Sequence, residues 1–144
     1  MNKYPKRLIE IDLPIKKISE QARAEKAVRQ GHISSLHIWW ARRPLIACRG
    51  VLCASLWPDP MDEDCPQSFR DAASYAIVLF AEQVKVDLKL AELCKDHWST
   101  RWSRTTPSSL RSKDPATWAD LRYALLDFIS DFSSWDASLS PAFL

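Results

Sequence analysis

The densest chemistry in this sequence lies in GHISSLHIWWARRPL, residues 31–45, where His32, His37, Trp39, Trp40, Arg42 and Arg43 fall close together. A guanidinium such as that of Arg42 or Arg43 grips phosphate or carboxylate through paired N–H donors. Indole faces stack on a base or carry a cation. Pro44 has a fixed φ and no N–H, which suits the first turn of a helix. The backbone N–H groups at such a start are unpaired and sit at the positive end of the helix dipole, a setting that favours an anion. His37, Trp39, Trp40, Arg42, Arg43 and Pro44 are therefore the candidate binding residues. They also fit a plainer role, with one Trp ring in a core, the other over a neighbour, and the two Arg on a solvated rim.

Other chemistry-bearing residues are sparse. Cys48, Cys53, Cys65 and Cys94 show no C-x-x-C spacing. Cys48 and Cys53 stand in an apolar run, where Cys acts as a small hydrophobe. Cys94-x-x-His97 has half of a zinc-site spacing, with no second close pair to complete it. No catalytic and no metal-ligating residue is assigned. Gly31 and Gly50 are the two glycines of the chain, so few positions let backbone approach a phosphate or take a positive φ.

The elements that must position these residues read as helices, giving a mainly α chain of about four, with Arg7–Ile11 as one short strand candidate. Asp12 or Leu13 caps a first helix with Pro14 in its opening turn. Ile15, Ile18, Ala22 and Val28 mark one face, and Gly31 lies just past its end. Pro44 opens LIACRGVLCASLW, apolar on nearly all sides and so expected to be buried on most faces. Pro58 and Pro60 stop it. A long helix is predicted over residues 67–95, with Phe69, Ala73, Ala76, Phe80, Val84, Leu88 and Ala91 as its stripe. Residues 96–113, rich in Ser, Thr and Arg, read as a surface loop. Asp114-Pro115 then caps a last helix, whose seam is Trp118, Leu121, Leu125, Phe128 and Phe132. Ser140-Pro141 announces one more helix just before the sequence ends.

Charge divides the chain unevenly. Residues 1–57 carry 11 Lys/Arg against 4 Asp/Glu, and residues 58–144 carry 9 against 14. The basic first part can face phosphates, or it can simply attract the acidic remainder. No run approaches the length of a membrane span. The opening MNKYPKRLIEIDLP lacks the apolar stretch and cleavage site of a secretory signal, so a cytoplasmic protein with reduced thiols is expected.

Three stretches, MNKYPKRLIEIDLPIKKIS, GHISSLHIWWARRPLIACRGVLCASLWPDP and LLDFISDFSSWDASLSPAFL, resemble the start of the prokaryotic adenine-specific DNA methylase family. These are large proteins that open with a domain of unknown function; some are described as containing a zinc ribbon, and some lie in phage-defence gene clusters. The resemblance implies a full-length relative with an α/β Rossmann-like core, using S-adenosylmethionine to methylate the exocyclic amine of adenine in DNA. It also implies that His37 and Arg43-Pro44 correspond in type to a His…Lys-Pro motif that opens a helix beside the methionine half of the cofactor. Trp39, Trp40 and Arg in place of Lys depart from that motif.

The family's Gly-rich cofactor loop and its Asp-Pro-Pro-Tyr target loop have no counterpart, since the glycines stand far apart and no two Pro are adjacent. The expectation is a truncated N-terminal fragment, inactive alone, whose partners are DNA and the missing methyltransferase core. Residues 1–60 hold the basic block, 61–113 a helix and loop, and 114–144 the helix leading to that core. Two rival readings are an autonomous helical nucleic-acid-binding module using the His/Trp/Arg block, and a non-catalytic scaffold for a protein partner.

Overall fold

The computed structural model describes residues 4–27 and 45–133, and these are mainly helical. In chain order they form α1 (Leu8–Ile11), α2 (Ile15–Ala27), α3 (Leu45–Leu56), α4 (Gln67–Val86), α5 (Leu88–Leu93), α6 (Lys95–His97) and α7 (Trp118–Phe132). A π-turn at Trp98–Trp102 and a 3-10 turn at Pro115–Thr117 complete the set. Among the described residues no helix is long and apolar enough to cross a membrane.

The expected strand at the N-terminus is not formed. Arg7 makes one isolated antiparallel bridge to Pro58, and the chain then coils into α1. Two local causes act together. Pro58 has no N–H with which to extend a ladder, and Glu10 Oε1 accepts from the Arg7 backbone N–H at 2.8 Å, closing a helical turn. Leu8 is left fully buried, its N–H donating to the Trp57 carbonyl at 3.1 Å.

α3 starts and stops where the sequence places it, but its burial differs from expectation. Ile46, Gly50 and Ala54 face inward, whereas Val51, Leu52 and Leu56 are 42, 59 and 68% exposed. Gly50 and Ala54 on this face are small, and at Gly50 α2 comes close. A Cβ placed at Gly50 would meet Ile18 Cδ1 at 2.8 Å and Ser133 Oγ at 3.2 Å. Gly50 is thus the point where α2, α3 and the end of α7 converge.

The long helix predicted over 67–95 breaks in two. Asp87 leaves helical geometry at φ −99°, ψ 107°, and its side chain accepts from the N–H groups of Lys89 and Leu90. An Asp offers the backbone that alternative to a continuing helix. The break turns Leu88 outward to 86% exposure, off the predicted stripe. Ala76 is also exposed, and Ile77 takes the inward position beside Ala73, Phe80 and Val84.

Residues 96–113 contribute to the core, contrary to their reading as a surface loop. Trp102 is fully buried, and Leu110 is 4% exposed. Phe80 meets Trp102 and Phe128 edge to face, each at 5.0 Å between ring centroids. Around this aromatic centre pack Leu8, Ala54, Ile77, Val84, Leu90, Leu121, Leu125 and Ile129. The α7 seam holds: Leu121 and Leu125 are buried, and Phe128 and Phe132 pack on the cluster, stacked 5.9 Å apart. Asp114 caps the 3-10 turn that leads into α7, accepting from the Ala116 N–H at 3.0 Å, with Pro115 as its first residue, and α7 itself follows from Thr117 without a side-chain cap.

Candidate functional site

The candidate binding residues His37, Trp39, Trp40, Arg42, Arg43 and Pro44 lie outside the described residues, as do Val28, Gly31 and Ser140-Pro141. What the structure does give is the platform on which the block is carried. α3 begins at Leu45, directly after Pro44, and Ile46 is anchored at 4% exposure one residue further on.

The main polar cluster of the described residues was not legible in the sequence. Asp131, on α7, is 2% exposed and gathers donors from three other elements. Its Oδ1 accepts from Lys17 Nζ of α2 at 3.0 Å and shares a hydrogen bond with His97 Nδ1 at 2.8 Å. Its Oδ2 accepts from Trp102 Nε1 at 2.8 Å. Burial pushes the Cys94 thiol far up, and the Asp131 charge and a side-chain hydrogen bond to that carboxylate push the same way. A buried carboxylate with this many donors has its hydrogen-bonding capacity met.

The cluster continues outward. Lys17 also pairs with Asp96 at 3.2 Å, His97 Nε2 lies 3.4 Å from Asp127, and Arg101 Nε donates to Asp127 at 2.8 Å. Both nitrogens of His97 thus face carboxylates, and neither addresses a hydroxyl or thiol nucleophile. Cys94 and His97, whose spacing hinted at half of a zinc site, instead meet at Asp131. Among the described residues no group of three or more His, Cys, Asp or Glu is placed to hold a metal ion. Chemically this network fastens α2, α6 and the π-turn to α7. Beside it, Leu13, Pro14, Ile15, Lys16, Lys17, Glu20 and Asp96 line an open cleft of about 490 Å³.

A second polar knot fixes the turn between α3 and α4. Asp59, 2% exposed, accepts from Arg122 Nε at 2.7 Å and pairs with its Nη2. Arg70, 4% exposed, donates to the carbonyls of Pro60, Asp62 and Cys65 at 2.8, 2.6 and 3.0 Å. Its guanidinium lies 3.7 Å from the centroid of the Trp118 ring. The acidic segment DPMDED is thereby wound around a buried cation.

A family model described as "Protein of unknown function (DUF1156)" matches residues 12–80. That span runs from just before α2 through residues 28–44 and α3 into α4. No curated protein and no solved structure matches the chain.

Proposed function

We propose that this chain is a helical N-terminal region of an S-adenosylmethionine-dependent DNA adenine methyltransferase, and that its His/Trp/Arg block serves the cofactor. One observation carries the reading. The segment matched by the family model, residues 12–80, encloses the same His32–Pro44 block on which the resemblance to adenine-specific methylases rests. The start of α3 at Leu45, directly after this block in the sequence, is compatible with it, because guanidinium groups such as those of Arg42 and Arg43 suit a carboxylate.

S-adenosylmethionine supplies an activated methyl group when bound. The residues of this chain offer it charge and stacking surface, without a Gly-rich cradle or a target-amine loop. Transfer itself belongs, on this reading, to a methyltransferase core outside these residues.

The test has two arms. Titration calorimetry with S-adenosylmethionine and a tritiated-methyl assay on adenine-containing duplex should show neither saturable binding nor label for the chain alone. In a protein that carries this region together with both missing loops, Arg43→Ala should weaken cofactor affinity by about one to two powers of ten with the melting temperature retained. Label incorporation by the chain alone overturns the reading. So does unchanged cofactor affinity in the Arg43→Ala protein.

A further inference from the structure

We propose that residues 103–113 form a rigid basic strap that binds the phosphate backbone of duplex DNA. The strap starts from its contacts with α4. Lys85 Nζ donates to the Thr105 carbonyl at 2.8 Å, Ser74 Oγ donates to the Leu110 carbonyl, and Gln67 Nε2 donates to the Ser112 carbonyl at 3.1 Å. Ser112 Oγ in turn donates to Asp71 at 2.6 Å. As the strap advances, its partners step backward along α4, so it runs antiparallel to that helix. From Lys85 to Asp71 this is about 21 Å at 1.5 Å per residue.

Local bonds stiffen the strap further. Thr105 Oγ1 donates to the Arg101 carbonyl at 3.0 Å, and Ser109 Oγ both accepts from the Thr106 N–H at 3.0 Å and donates to the Thr106 carbonyl at 2.8 Å. Trp118 Nε1 donates to the Ser112 carbonyl at 2.8 Å. Thr105 and Leu110 point inward and are buried. Arg104, Arg111, Lys113 and Ser108 are exposed.

The charge on the strap is available. Lys17, Lys85, Lys95, Arg101 and Arg122 all stand in ion pairs, whereas among the described residues Arg104, Arg111 and Lys113 stand in none. From Arg101 to Lys113 the sequence RWSRTTPSSLRSK holds no Asp or Glu, inside an otherwise acidic two-thirds of the chain. Two acidic residues lie at its far end: Asp114, whose N–H donates to the Arg111 carbonyl, and Asp71, which its bonds to Ser112 and Gln67 and then the Lys113 charge help to keep ionised. Arg104 and Arg111, at opposite ends, therefore carry most of the attraction.

Spacing and surface select the partner. A single phosphate group reaches only one end of a strap about 21 Å long. Duplex DNA presents a phosphate every 3.4 Å of axis on each strand, so about six steps span it. An anionic membrane would reward apolar side chains able to insert, and no exposed large hydrophobic residue lies between 103 and 113. The inference shares its partner class with the proposed function, but it uses different residues and needs no cofactor.

The experiment is fluorescence anisotropy of the full chain with a labelled duplex of about 20 base pairs across a salt series, where two to three phosphate contacts give a log–log slope of roughly −2 to −3. The triple variant Arg104→Gln/Arg111→Gln/Lys113→Gln should bind at least about tenfold more weakly at low salt and flatten that slope by about two, with its helical circular dichroism retained. Two duplexes of different sequence should bind alike, and phosphatidylserine vesicles should not bind. If the triple variant melts early, Arg111→Gln alone is read, and it should lower the slope by about one. Unchanged affinity and slope in that variant overturn the proposal, as does vesicle binding that falls with the same substitutions. Loss of duplex binding in Arg42→Gln/Arg43→Gln but not in the strap variant also overturns it. Cofactor titration of the larger protein reads the methyltransferase proposal separately.

Discussion

Trp102 Nε1 donates to Asp131 Oδ2 at 2.8 Å, and both residues are closed off from solvent, at 0 and 2% exposure. This bond turns a Ser/Thr/Arg-rich segment inward, because an indole can bury its ring in the core only if its N–H finds an acceptor. The same carboxylate receives Lys17 and His97, so one side chain holds three elements to α7. Asp131→Ala should therefore destabilise the chain by about 2–4 kcal/mol, since it leaves the buried indole N–H without its acceptor and removes a carboxylate from the half-buried Lys17 and His97. Trp102→Phe keeps most of the ring and should cost less, about 1–3 kcal/mol. Urea unfolding checks both, and a midpoint for Asp131→Ala equal to that of the wild type would refute the fastening role.

Gly50 makes a more local prediction. A methyl there meets Ile18 Cδ1 at 2.8 Å, and Ile18 is 5% exposed with little room to retreat. Overpacking costs about 1–3 kcal/mol, while Ala in a helix interior gains about 1 kcal/mol over Gly. Gly50→Ala should thus lose roughly 1 kcal/mol net. Removing the offending atom with Ile18→Val should relieve the clash, so the double variant should be more stable than the sum of the two single losses. Additive losses would mean that α2 and α3 do not touch here.

The Cys94 thiol gives a pH dependence with a defined sign. Burial, then the Asp131 charge, raises its folded pKa above that of an unfolded thiol. The folded chain therefore holds the proton longer than the unfolded one. The associated stability is fully present below the unfolded thiol value, about 8.5, and drains as the pH climbs above it. Thermal melts from pH 7 to about 10 should show the wild type losing more stability than Cys94→Ser, whose hydroxyl does not titrate there. Parallel curves for the two proteins would count against the buried thiol.

The helices of this protein were largely legible because their signals are local. Pro44 ahead of an apolar run, Asp114-Pro115, and the three- and four-residue steps of Leu121, Leu125 and Phe128 each act within a turn or two. Asp87 is also local, but an Asp inside a strong stripe reads as one exposed residue until its cap bonds are seen. The Asp131 network left no trace, because Lys17, His97 and Trp102 reach it across 114, 34 and 29 residues. No spacing rule links residues so far apart. Cys94-x-x-His97 has the spacing of half a metal site, but what unites the two is a shared carboxylate. The His37–Pro44 block stands out by composition, since aromatic and basic residues crowd it.

Arg70 carries the last prediction, because its role depends on shape more than on charge. Its fork reaches the carbonyls of Pro60, Asp62 and Cys65, and its plane covers Trp118 at 3.7 Å. A lysine ammonium at this position is a point charge that cannot satisfy three divergent carbonyls or lie flat on an indole. Arg70→Lys should lose about 2–3 kcal/mol, although it keeps the positive charge. The effect should also be local in a way that thiols report. Cys65 is 4% exposed inside the same turn, and burial raises its thiol. In the wild type, reagents for free thiols should reach exposed Cys48 first, with Cys65 and Cys94 reacting only on unfolding. In Arg70→Lys, Cys65 should become reactive under native conditions while Cys94, secured by Asp131, stays protected. If Cys65 remains silent in that variant, the turn does not depend on the guanidinium. If Cys65 and Cys94 open together, the loss is global, and Arg70 holds up more of the fold than its turn.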